Sequence, residues 1–155
     1  LLTARRIYVY GVVTSGTAAQ DVFYRLMRIG MNVEAYQDSH IIAMTAALIK
    51  PDDVVLGIST SGSTRDIVDA FRKAKENGAQ TIAVTSHADS ALAEFTDIQL
   101  LVPSKEMPLQ GGSFSTKIAQ MHLLDILLTM VTMETKETAY SSIKKTAKAV
   151  IDKMT

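Results

Sequence analysis

Five short runs of β-prone apolar residues, separated by stretches with helical periodicity, recur through roughly the first hundred residues, and this alternation constrains the fold most. The runs are 7–10 (IYVY), 32–36 (NVEAY), 54–58 (VVLGI), 81–84 (TIAV) and 98–102 (IQLLV). A helix is expected over 18–29, where Val22, Leu26 and Ile29 share a face and Gly30 stands at the C′ position. Another is expected over 39–49, with Ile41, Ile42, Thr45 and Leu48 as its inward stripe, and a third over 65–77, with Ile67, Phe71 and Ala74 inward and Asn77-Gly78 ending it. A short helix fits 90–95, and Pro51-Asp52-Asp53 reads as a turn. Strands alternating with helices imply right-handed crossovers and a parallel sheet covered on both faces. The fold class is therefore α/β, a three-layer α-β-α arrangement around a five-stranded parallel sheet in one domain spanning 1–155.

The central run leads into a loop of small hydroxylated residues, Ser59, Thr60, Ser61, Gly62, Ser63 and Thr64, just before a helix. First-turn N–H groups of a helix lack intrahelical partners, and the peptide dipoles add partial positive charge there. Hydroxyls of Ser59, Ser61 and Thr64 can donate further bonds, and Gly62 lets the backbone approach a ligand without a Cβ. This is the make-up of a phosphate cradle. An N-cap loop is the plainer explanation, since helix starts favour serine, although one cap uses one hydroxyl. A second small-residue loop, 12–17, also follows a strand. With the strand order 2-1-3-4-5, strands one and three are neighbours, and both loops face one crevice at the carboxyl edge, where such sheets bind ligands.

A loop is expected over 103–112, with Pro103, Pro108 and Gly111-Gly112, followed by helices over 113–133 and 138–154. The last shows Ile143, Ala147, Val150 and Met154 in step. The long one is apolar nearly all round, through Ile118, Met121, Leu123, Leu124, Ile126, Leu127, Leu128, Met130 and Val131. A helix with no wet face is buried on several sides. Either a partner subunit covers it, making a homodimer or tetramer through 113–133, or it is the central core helix of one protomer.

Sixteen basic residues balance sixteen acidic ones, so no global field draws the chain to nucleic acid or to an anionic membrane. Cysteine is absent, which excludes disulfides and thiolate metal sites and suits a reducing cytoplasm. The most apolar run, 118–133, carries His122 and Asp125 and is too short and polar to span a bilayer. A dinucleotide fingerprint fails because Val13 stands where its second glycine belongs, and no Gly-Lys-Ser/Thr follows a glycine-rich loop. His40, His87 and His122 lack metal-ligand spacing, and His122 reads as a core or interface histidine. No cofactor and no metal are expected.

The segment 58–64 (ISTSGST), with Ala74-Lys75 and 78–85 (GAQTIAVT), resembles the sugar isomerase (SIS) domain. Tyr10-Gly11, Ser15-Gly16, 26–30 (LMRIG), 38–40 (DSH), 90–93 (SALA), Asp97, 115–120 (STKIAQ) and Leu124-Asp125 resemble, more narrowly, the effector domain of RpiR-type bacterial transcriptional regulators. The resemblance covers essentially the whole chain. It implies the SIS fold, with the flavodoxin-like order 2-1-3-4-5, and a phosphosugar whose phosphate rests on Ser59, Ser61, Gly62, Ser63 and Thr64. Thr14 and Ser15 would contact it from the other side, and Lys117, from this subunit or its neighbour, would add a cation. Such regulators reach DNA through an N-terminal helix-turn-helix domain; the opening LLTARRIYVYG, without an initiator Met, looks cut from a longer chain. The family usually carries glycine where this chain has Val13, which narrows that side of the pocket or shifts ligand preference.

SIS domains also serve as isomerases, which need a positioned base. In those enzymes a glutamate near the start of the long helix supplies it, and anchoring on Asp125 puts that position at about Lys117, a cation suited to pairing with an anion. Glu106 and Glu134 are poor substitutes, one in a loop and the other past the helix. The expectation is a phosphosugar sensor that biases a dimer equilibrium, with an aldose–ketose isomerase and a dimerisation module with a vestigial cradle as the alternatives.

Overall fold

Each of the five apolar runs forms a strand, since β-branched and aromatic residues favour extended backbone; β1, β3 and nearly all of β4 are buried, whereas β2 and β5 at the edges are largely half-buried or exposed. A computed structural model describes residues 1–104 and 114–151. In order these form β1 (Ile7–Tyr10), α1 (Thr14–Arg28), β2 (Val33–Tyr36), α2 (Ser39–Ala47), β3 (Val54–Ile58), α3 (Arg65–Glu76), β4 (Gln80–Thr85), a 3₁₀ turn (Ala93–Phe95), β5 (Ile98–Leu101), α4 (Phe114–Glu134) and α5 (Lys136–Ile151). The sheet order is β2-β1-β3-β4-β5 and every pairing is parallel. Side chains alternate across it: Ile7, Val9, Leu56 and Ile58 pack with α1, α4 and α5, while Tyr8, Tyr10 and Val55 pack with α2 and α3. These are the two cores of the expected three layers. Burial pushes the Tyr10 phenol well above its ordinary pKa, outweighing its hydrogen bond to Thr45.

Gly57, on the α3 side of β3, lets the Phe71 ring press onto the strand; a Cβ there would stand 2.3 Å from a ring carbon. Helix α1 starts four residues earlier than expected, so Thr14–Thr17 belong to its first turn rather than to a loop. The buried Ala18 and Ala19 let the helix close onto the sheet as soon as β1 ends, and the bare Gly16 leaves room for the Gln37 side chain. Of the expected α2 stripe Ile42 is buried and Thr45 half-buried, while Ile41 and Leu48 are exposed, Leu48 at 71%; Ala46 and the following Ile49 complete the inward face. Thr45 turns its hydroxyl back to the Ile41 carbonyl and to Tyr10 instead. Of the expected 90–95 helix only the 3₁₀ turn forms.

Along α4 the buried residues are Thr116, Gln120, Leu124, Leu128 and Val131, one ridge at roughly i, i+4 spacing. On the other side Phe114, Ile118, His122, Ile126 and Met130 make a second row, and all are exposed. His122 is thus not a core histidine of this chain. In α5, Ile143 and Ala147 are half-buried and Val150 is exposed. Most of the expected 103–112 loop with Glu106, the expected helix start at Ser113 and the end of the last helix with Met154 lie outside the described residues.

Two polar clusters pin the strands. At the amino edge the Asp53 side chain is fully buried; its Oδ2 accepts from Arg5 Nη2 at 2.7 Å and from the Lys50 N–H at 2.9 Å. Arg5 also donates its N–H to the Asp52 carbonyl, and Val54 donates to the Arg6 carbonyl. Before β5, Asp97 accepts from the Thr81 N–H at 2.8 Å, from the Thr81 hydroxyl and from Lys75. Burial alone would raise the Asp97 pKa, but the Lys75 ammonium and the Thr81 donors outweigh it and hold it below its ordinary 3.8.

Asp53→Ala should lose about 2 kcal/mol of stability, the scale of buried hydrogen bonds to a charged group, measured by urea titration. Asp52→Ala, on an exposed turn, should stay within about 0.5 kcal/mol. For Asp97 the depressed folded pKa makes its contribution present above 3.8 and lost as pH falls through the lower folded value. The stability difference between the protein and its Asp97→Asn variant should therefore be largest at neutral pH and shrink below 3.8.

Candidate functional site

Strands β1 and β3 pair with Tyr10 opposite Gly57, so the chain leaves the sheet at neighbouring points after each. The two helices that follow go to opposite faces, α1 to one core and α3 to the other. Their N-terminal ends therefore converge on one edge of the sheet from its two sides, at the point where the strand order reverses. Neither end is capped by a side chain: Val13 precedes α1 and Thr64 precedes α3, and neither makes a cap bond. Within the turns themselves, the Ser15 and Gly16 N–H groups of α1 and the Ile67 N–H of α3 bond backbone carbonyls, while those of Arg65 and Asp66 at the start of α3 do not.

At the α3 end, Ser59 is 3% exposed and its Oγ shares a hydrogen bond of 3.1 Å with Thr64 Oγ1. One of that pair donates, which leaves the other hydroxyl proton available. Ser61 is exposed, and its Oγ accepts from the Ser63 N–H at 3.2 Å, leaving its own proton free. Ser63 donates its hydroxyl to the Ser61 carbonyl at 3.3 Å, and Gly62 donates its N–H to the Ser59 carbonyl at 3.1 Å. The amides of Gly62 and Ser63, expected to face a ligand, are thus occupied within the loop. Gly62 also has a different role from the one its neighbours suggested. It adopts φ +62°, and a Cβ on it would lie 2.1 Å from Ser90 Oγ, so its bareness admits the loop after β4.

At the α1 end, Thr14 is exposed and Ser15 half-buried. The Ser15 and Gly16 N–H groups turn back to the Val12 and Val13 carbonyls. Val13 is 84% exposed and takes φ 53°, the one positive φ outside glycine among the described residues. A β-branched residue there is strained. Lys117 reaches this turn within the same chain, its Nζ donating to Thr17 Oγ1 at 2.8 Å, while Thr17 in turn bonds the Thr14 carbonyl. No carboxylate pairs with Lys117 among the described residues. Thr14, Ser15 and Lys117 therefore gather at one helix end, and Ser59, Ser61, Ser63 and Thr64 at the other.

A cavity of about 470 Å³ opens on the far flank of the β3 loop, lined by Ser61, Ser63, Ser86, His87, Asp89 and Ser90. The Thr60 carbonyl ties its two walls, accepting from the Ser86 N–H and the Thr85 hydroxyl and lying 3.2 Å from His87 Nδ1. Residues 85–89 carry no site expectation from the sequence, yet this loop too follows a strand at the carboxyl edge, and β4 is the other neighbour of β3. Among the described residues no group of acidic, histidine or cysteine side chains could hold a metal, and no helix is long and apolar enough to cross a membrane.

Comparison with known proteins gives a consistent result. The SIS domain matches residues 1–130. An uncharacterized HTH-type transcriptional regulator of Clostridium perfringens is 36% identical over 152 residues, 98% of this chain and 54% of that protein. The HTH-type transcriptional regulator RpiR of Escherichia coli K12 is 37% identical over 149 residues, 96% of this chain and 50% of that one. The chain thus spans about half the length of the curated relatives it matches. Among solved structures, the Vibrio vulnificus NanR protein complexed with ManNAc-6P superposes with a TM-score of 0.93 at 29% identity, over 99% of this chain and 58% of that one. Strand order, the hydroxyl corner after β3 and a match over residues 1–130 agree, and the chain belongs to the SIS domain family.

Proposed function

We propose that this chain is the phosphosugar-sensing part of a cytoplasmic bacterial transcriptional regulator of carbohydrate metabolism, and that it binds its ligand without converting it. The observation that carries the reading is the pair of uncapped helix N-termini meeting at one sheet edge, with Lys117 beside one of them and free hydroxyl protons beside the other. Two partial positive charges, a full one and hydroxyl donors favour a dianionic group. The likeness to RpiR and to NanR held with ManNAc-6P supports a sugar phosphate as its source. The phosphate would take the Ser61 hydroxyl, the free proton of the Ser59–Thr64 pair and the first N–H groups of α3, with Thr14, Ser15 and Lys117 closing from the α1 side.

An isomerase would need a base over the sugar carbons. Lys117 is engaged with Thr17, and Glu134 ends α4, 17 positions along and about 25 Å away at 1.5 Å per residue. Binding without turnover fits better. The exposed row of Ile118, Ile126 and Met130 on α4 supports assembly of two copies through that helix. A ligand that favours one dimer arrangement would alter the spacing of DNA-binding segments, and those would lie outside this chain.

Saturating phosphosugar, at about a hundred times its dissociation constant, should stabilise the protein by about 2.7 kcal/mol in thermal unfolding, and Ser61→Ala should remove most of that gain. ManNAc-6P and inorganic phosphate are the first probes. No stabilisation by any phosphosugar would leave only the dimerisation module, and conversion of aldose to ketose phosphate followed by NMR would favour the isomerase. Met130→Glu should shift the protein toward monomer in sedimentation equilibrium while leaving its circular dichroism unchanged.

A further inference from the structure

We infer that the sugar end of the ligand is a neutral polyol and not a sugar acid, and that Asp89 makes the distinction. This rests on the phosphosugar reading above and concerns the cavity on the β4 flank of the same loop. Ser61 and Ser63 belong both to the loop and to the cavity wall, so a ligand with its phosphate on the loop extends into this space of about 470 Å³.

The lining chemistry differs in sign from the phosphate corner. Lys117 and the α1 terminus lie on the β1 side of β3, whereas the lining of the cavity carries one formal charge at neutral pH with histidine neutral, the Asp89 carboxylate. Asp89 makes no ion pair among the described residues. An ionised carboxylate only accepts hydrogen bonds, and a sugar hydroxyl donates them; a second carboxylate would meet it with like charge and no proton to share.

Two further walls ask for the same partner. Ser86 Oγ and Ser90 Oγ are buried without any hydrogen-bond partner. Ser90 is held there by the bare Gly62 backbone, and Ser86 by its own N–H bond to Thr60. Each hydroxyl can both give and take, as each hydroxyl of a polyol can. Buried polar atoms without partners are rare in folded proteins; both residues line the cavity beside Asp89, and a rotamer change would turn their shielded hydroxyls to a ligand.

The test uses matched open-chain ligands in isothermal titration calorimetry: glucitol 6-phosphate against gluconate 6-phosphate, and ribitol 5-phosphate against ribonate 5-phosphate, with inorganic phosphate as reference. Each pair differs only by a terminal alcohol or carboxylate. The neutral member of at least one pair should bind about fivefold tighter than its acid, the factor for two like charges about 4 Å apart in water. Asp89→Asn should bring the two within about twofold while leaving inorganic phosphate unchanged. The double variant Ser86→Ala, Ser90→Ala should lower polyol phosphate affinity toward that of phosphate. Equal or tighter binding of the acids, or a ratio untouched by Asp89→Asn, overturns the inference while phosphate binding stands. If neither phosphate nor any phosphosugar binds, the phosphosugar reading itself falls and this inference with it.

Discussion

The parallel pairing of β1 with β3, combined with crossovers that leave for opposite faces, is the constraint on which the site depends. Had α1 and α3 packed on the same face, their N-termini would lie side by side above the sheet and not enclose its edge. The reversal of strand order between β1 and β3 sends them apart, and two helix dipoles point toward the edge between them from both layers. The glycines serve this convergence. Gly11 stands where a Cβ would lie 2.6 Å from the Ser15 carbonyl, so α1 can start within a turn of the strand end. The strained Val13 belongs to the same tight passage.

Much of this was legible in the residues. Period and β-branching placed all five strands to within a residue or so at each end, and the alternation with helices implied the parallel order. The hydroxyl corner stood out because its residue types exceed what capping needs, and the structure agrees that neither Val13 nor Thr64 caps its helix. What failed did so for identifiable reasons. The early start of α1 depends on how closely Ala18 and Ala19 approach the sheet and Gly16 approaches Gln37, a tertiary effect that no local pattern carries. The inward face of α2 is only partly legible, Ile42 being buried but Ile41 and Leu48 exposed, because Ile41, Ile42, Met44 and Leu48 surround the helix and apolar residues on every side carry no direction. The occupied amides of Gly62 and Ser63 follow from turn geometry that only coordinates reveal.

Helix α4 shows the same ambiguity in useful form. Its apolar circumference divides into a ridge that fills the core between α1 and the sheet and a second row left in solvent. The first row is a requirement of the fold. The second is exposed, and its Phe, Ile and Met side chains, broken only by His122, lower solubility unless something covers them. Packing of i, i+4 rows against one another favours a steep crossing of about −50°, which would set two copies obliquely across α4.

The pairing of the half-exposed Arg5 side chain with the buried Asp53 carboxylate has a geometric consequence. It rivets the leading strand of polypeptide to the edge of the sheet opposite the ligand corner, with β3 running between the two; five residues at about 3.3 Å each put them roughly 16 Å apart. A segment joined ahead of Leu1 would therefore start from the edge opposite the hydroxyl corner, and a displacement of the β-layer would reach it through a carboxylate that has no room to move.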